Sequence, residues 1–151
     1  TGLGRRAARP RRRPGGRVWP MDQAPDGPVR SIDAVTLAVA DLARSLAFYE
    51  SLGFRRREAG DHFATLHAGS GWLNLQLDPA HAPLPHIWGR VIFFVDDVDA
   101  LHRRAVAAGW SPEAEPADAP WGERYFHLRD PDGHELSFAR PLAPPGPAAA
   151  G

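Results

Sequence analysis

At 151 residues the chain suits a single domain, long enough to bury a core without covalent staples. It has no cysteine, which excludes disulfides, thiol chemistry and thiolate metal sites. The formal net charge is zero and all 18 basic residues are arginine. The charge is uneven: residues 1–30 hold eight arginines against Asp22 and Asp26, a net +6, and the remainder carries the balancing −6.

The first segment, "TGLGRRAARPRRRPGGRVWP", is rich in Arg, Pro and Gly and has no hydrophobic period. Residues 1–30 are expected to be a disordered basic leader. Such an arm can bind nucleic acid. The simpler reading takes Met21 as the natural start, which makes nucleic acid a poor expectation. The leader lacks the apolar stretch of a secretory signal, and no run is long enough to span a membrane, so the expected location is cytoplasmic.

From Ser31 the pattern becomes regular. In "IDAVTLAVAD", Val35, Leu37 and Val39 alternate with Ala34, Thr36 and Ala38, which predicts a strand with two unlike faces. Asp41 is placed to cap a helix over "LARSLAFYESLGF". Leu42, Leu46, Tyr49 and Leu52 form its stripe, and Gly53 stops it. Three strands come next, "FRRREA", "HFATLHA" and "WLNLQL", parted by turns at Gly60-Asp61 and Gly69-Ser70-Gly71.

"DPAHAPLPHIW" reads as a linker, and then the order repeats. "RVIFFVD" is a strand and "DVDALHRRAVAAG" a helix ending at Gly109. "SPEAEP" is a weak strand, succeeded by "RYFHLR", a "DPDG" turn and "HELSFAR". The expected architecture is α+β, with two tandem βαβββ modules, at about 31–79 and 86–141, forming a curved, partly open mixed sheet. Residues 142–151 read as a disordered tail.

The strand faces carry the functional information. One face is apolar throughout: Val35, Leu37, Val39; Leu73, Leu75, Leu77; Val91, Phe93, Val95; Phe126, Leu128; Leu136, Phe138. These should pack on the helices, and a one-residue slip would expose them all. The other face carries Thr36, Trp72, Asn74, Gln76, Trp88, Arg90, Tyr125, His127, Glu135 and Ser137, with Trp121 nearby. Such a face can be plain solvent-facing surface. Its tryptophans beside small polar groups suit a ligand pocket better. Arg90 and Glu135, if they share it, should pair.

"IDAVTLAVADLARSLAFYESLGF", the paired modules and "DPDGHELSF" together resemble the vicinal oxygen chelate superfamily, over roughly Ser31 to Pro141. Its members include glyoxalase I, fosfomycin-resistance proteins, extradiol dioxygenases and bleomycin-resistance proteins. The resemblance implies a glyoxalase-like fold. In metal-dependent members, ligands stand at positions that fall here on Ala34, Asn74, Arg90 and Ser137. Ala34 has no donor atom, Arg90 is a fixed cation, and Asn74 and Ser137 are weak neutral donors. The expectation is therefore no metal and no other cofactor.

The resemblance and the lost ligand positions together imply a small-molecule-binding protein, with antibiotic sequestration of the bleomycin-resistance type as one form. The resemblance also implies a homodimer, sometimes with exchanged modules. Expected ligand contacts are Thr36, Trp72, Asn74, Gln76, Trp88, Arg90, Trp121, Tyr125, His127, Glu135 and Ser137. The rival reading is an enzyme, a glyoxalase-like lyase or isomerase or a dioxygenase. It would use an improvised metal set drawn from His67, His127 and Glu135, or an acid–base group of Tyr125, His127 and Glu135.

Overall fold

The computed structural model describes residues 28–29, 31–83 and 85–143. The readings of the leader before Pro28, and of the tail after Ala143, fall outside the described residues.

Module 1 runs β1 (Ala34–Val39), α1 (Leu42–Ser51), β2 (Arg56–Ala59), β3 (Phe63–Ala68) and β4 (Gly71–Leu77). Module 2 repeats it as β5 (Arg90–Phe94), α2 (Val98–Ala107), β6 (Ala117–Asp118), β7 (Glu123–Arg129) and β8 (Glu135–Pro141). Asp41 caps α1 by accepting from the Arg44 amide, and Asp97 caps α2 by accepting from the Ala100 amide. Both helices stop at a glycine with positive φ, Gly53 and Gly109.

The strands form two four-stranded mixed sheets, in the orders β1-β4-β3-β2 and β5-β8-β7-β6. In each, the first strand pairs parallel with the last, and the other pairings are antiparallel. One expected strand moves. "SPEAEP" is not extended ladder, and β6 is only Ala117–Asp118, beyond Pro116. Pro112 and Pro116 have no N–H to give a neighbour, which denies that run a ladder.

The apolar faces fall as the alternation requires. Leu37, Val39, Leu66, Leu73 and Leu75 from one sheet share a single core with Phe126, Leu128, Leu136 and Phe138 from the other. Val35, Leu77, Val91, Phe93 and Val95 pack at its margin. Helix α1 lies on β3 and β4, and α2 lies on β7 and β8. The helical segments also meet: Phe48 and Trp110 touch edge to face at 4.8 Å, and Arg104 Nε donates to the Ser51 carbonyl at 2.7 Å. The second face of each sheet therefore points away from the shared core.

The "DPDG" turn joins the modules. Asp132 is buried and accepts from the Ala40 amide (2.8 Å), Arg44 Nη2 (3.1 Å) and Ser45 Oγ (3.0 Å). Asp130 accepts from Tyr49 Oη at 2.7 Å and from the amides of Asp132 and His134. Burial raises the Asp130 carboxyl above its ordinary range, with these hydrogen bonds pulling the other way. Burial, then the Asp130 charge, raises Tyr49 well above the ordinary phenol. Gly133, at φ +83°, closes the turn, and a Cβ there would stand 3.0 Å from Pro83 Cβ. The sequence alone shows the turn but not this junction, because its partners lie some 80 residues upstream.

Candidate functional site

Nine of the eleven predicted site residues stand on strands and divide into two groups by sheet; Trp88 and Trp121 lie outside the strands. On the module 1 sheet, Thr36 stands opposite Asn74 and Asn74 opposite Thr65. Thr65 Oγ1 donates to Asn74 Oδ1 at 3.0 Å, and Asn74 Nδ2 donates to Thr36 Oγ1 at 3.3 Å. Trp72 is flanked by His67, with ring centroids 4.9 Å apart, and by the Arg57 guanidinium 4.4 Å above its ring. Gln76 is exposed.

On the module 2 sheet, β5, β8 and β7 bring Arg90, Glu135, Ser137 and His127 side by side. Arg90 pairs with Glu135 in register, and His127 with Ser137. Glu135 is only 3% exposed, as a central strand dictates. Arg90 Nε donates to its Oε1 at 2.5 Å, and Nη2 reaches the same oxygen. The expected ion pair is present. Trp121, Tyr125 and His127 run as a series of rings, 5.7 and 5.0 Å apart.

His127 is the odd member. Its Nδ1 is buried without a hydrogen-bond partner. Burial, then the Arg90 charge, lowers its pKa below the ordinary imidazole value, while Glu135 and Glu113 pull upward. The ring is therefore neutral at neutral pH. A proton on Nδ1 would be a buried donor with no acceptor, so the N–H sits on Nε2.

Trp88 is held differently from a free pocket wall. Its Nε1–H donates to His134 Nδ1 at 2.9 Å, and His134 Nε2 lies 2.8 Å from the Ala38 carbonyl. Indole only donates and a carbonyl only accepts, which fixes His134 as the neutral Nε2–H tautomer.

The hydrogen bonds and ring contacts of the two groups stay with their own sheets, and the groups face away from a common core. One chain does not bring all eleven residues into one pocket. An open cleft of about 450 Å³, lined by Leu52, Gly53, Phe94, Leu101 and Arg104 among others, includes none of them. We place the candidate site on the module 2 face, where the charged and unsatisfied groups are.

Sequence reading missed two residues on that face. Ile92 and Phe94 alternate with Val91 and Phe93, share the side of Arg90, and remain exposed, Ile92 at 58%. The signal was available: "VIFFV" is apolar on both faces, as in a strand covered on both sides.

The donor set does not fit a divalent ion. Among the described residues no three His, Asp or Glu side chains converge. His67 lies against Trp72 on the other sheet, and Glu135 is committed to Arg90.

Residues 31–138 match the family model for the glyoxalase/bleomycin resistance protein/dioxygenase superfamily. The chain belongs to that superfamily. It is 39% identical over 106 residues to the CFP32 protein of Mycobacterium bovis, covering 67% of this chain and 40% of that one. It is 36% identical over 126 residues to the anthracycline biosynthesis protein DauV of a Streptomyces species, covering 80% of this chain and 44% of that one. The chain thus spans less than half the length of these two relatives. Among solved structures, a bleomycin-binding protein in complex with bleomycin superposes with a TM-score of 0.61 at 25% identity, covering 74% of this chain and 98% of that one. No helix of the described residues is long and apolar enough to cross a membrane.

Proposed function

We propose that this chain is a metal-independent, cytoplasmic small-molecule-binding member of its superfamily, acting by sequestration as a homodimer. One observation carries the reading. Where a metal-dependent relative would place a ligand, this chain holds Arg90, fixed on the buried Glu135. A bound cation would meet a guanidinium and compete with it for the same carboxylate. The likeness to a bleomycin-binding structure supports a drug-like ligand and a role in antibiotic resistance. The dimer is supported by the division of the second faces. Ile92, Phe94 and Trp121 are exposed on one, Thr36 and Gln76 on the other. A second copy would join one face to the other and enclose a pocket.

Metal analysis of the purified protein, with thermal shifts of a compound panel run with and without chelator, tests this. The expected result is sub-stoichiometric metal and ligand shifts unmoved by chelator. Stoichiometric metal that disappears in His127→Ala or Glu135→Gln would overturn it.

One observation favours the enzyme reading. The neutral His127 ring beside Tyr125, 5.0 Å between centroids, is a reasonable general base. Turnover of a hemithioacetal or catechol substrate that is abolished by His127→Gln and Tyr125→Phe would establish that alternative.

A further inference from the structure

The module 2 face offers rings in series and a charge that is already cancelled. Trp121, Tyr125 and His127 lie along one side of β7 and its lead-in, with Trp121 68% exposed. The rings turn by 30° from Trp121 to Tyr125 and by 47° from Tyr125 to His127, so a flat conjugated partner can lie along Trp121 and Tyr125 and meet His127 at its edge.

The inner end of the row is electrically balanced. Arg90 is matched by Glu135, and Arg129, opposite Glu135 in the register, lies 3.5 Å from Glu113. At this inner end a ligand with a full charge would give up water without gaining an unmatched counter-charge, which is costly. An uncharged one does not meet that cost.

Hydrogen-bonding groups remain. Arg90 spends Nε and Nη2 on Glu135 Oε1, which leaves Nη1 as a donor and Glu135 Oε2 as an acceptor. His127 presents its Nε2–H away from the buried Nδ1. Two donors and one acceptor beside a row of rings fit carbonyl and phenol oxygens on a fused ring system.

We propose that this face binds an uncharged, planar hydroxyquinone. Its rings lie along Trp121 and Tyr125, and its edge meets His127. Its carbonyl oxygens accept from Arg90 Nη1 and His127 Nε2, and a phenolic hydroxyl donates to Glu135 Oε2. The proposal rests on the binding-protein reading above and specifies its ligand.

The test is titration of the full chain with quinizarin (an uncharged dihydroxyanthraquinone), an anthraquinone monosulfonate and metal-free bleomycin. Thermal shift and tryptophan quenching report binding. Quinizarin should bind saturably, and the sulfonate at least about tenfold more weakly. Trp121→Leu should cost about tenfold in quinizarin affinity, and Trp121→Phe should keep most of it. Glu135→Gln leaves Arg90 unopposed and should reverse the preference toward the sulfonate. If that variant does not fold, the ratio of the two affinities in the unmodified chain decides. Failure of quinizarin to bind, or equal or tighter sulfonate binding by the unmodified chain, overturns the ligand class. Bleomycin binding lost in Arg90→Ala, with quinizarin inert, removes the class and keeps the binding-protein reading. Stoichiometric metal with none of the three compounds bound removes both.

Discussion

Asp130 and Asp132 lie within five residues of Glu135, all three carboxylates are buried, and all sit in the same turn-and-strand segment. Their surroundings are opposite in kind. The two aspartates are saturated by hydroxyls, amides and Arg44, all drawn from α1, the approach to it or the turn itself. Glu135 has one oxygen doubly engaged by Arg90 and the other left over, beside a histidine with an orphaned nitrogen. A buried polar group that is fully matched fastens structure. One that is incompletely matched keeps hydrogen-bonding capacity that the chain itself does not use.

The largest effect should come from breaking the saturated side. Asp132→Ala removes the acceptor of three donors at a 1% exposed side chain and should cost about 3–5 kcal/mol in urea unfolding. A cost below about 1 kcal/mol would mean the junction is not a fastening point. Tyr49→Phe removes one donor from Asp130 and should cost about 1–3 kcal/mol, with little effect on ligand binding.

The unsaturated side should respond in the reverse sense. Arg90→Ala should abolish most ligand binding and leave a folded domain of lower stability, because Glu135 loses its partner. The double change Arg90→Met with Glu135→Leu should recover that stability, to within about 1 kcal/mol of the parent, without recovering binding. Melting of both variants checks this. An unfolded Arg90→Ala would make Arg90 structural and erase the contrast.

The smallest effect concerns pH. His127 has a lowered folded pKa, so the unfolded chain binds its proton more readily. Its contribution is present above the ordinary imidazole value near 6.5 and is lost as pH falls through the lowered folded value. The parent should therefore lose more stability between neutral and mildly acidic pH than His127→Phe, compared by denaturation at each pH. Equal losses would show that the ring is not held neutral by its site.

Much of the fold was legible because it is local. Asp41 and Asp97 as caps, Gly53 and Gly109 as stops, and the alternation of Leu73, Leu75 and Phe138 come from short-range rules. The facing of Arg90, Glu135 and His127 was legible for the same reason, and so was the pairing of Arg90 with Glu135. The division into two sheets, the bond from Trp88 to His134 and the grip of α1 on the turn were not. Each depends on residues far apart in the chain, 46 positions for the Trp88 bond and 92 for the Ala40 bond to the turn, which no periodicity encodes.

The grip of α1 on the "DPDG" turn also bears on how the chain is made. In each sheet the first strand waits for its parallel neighbour, so β1 has no ladder until β4 emerges. Even then Ser45 and Tyr49 lack their acceptors until Asp130 and Asp132 have left the ribosome. The apolar stripe of α1 and the face of Leu37 and Val39 therefore wait for β3 and β4, and the core they share with Phe126, Leu128, Leu136 and Phe138 waits for β7 and β8. The junction between the modules closes last, and chains cut short before residue 130 keep one side of the shared core open to aggregation.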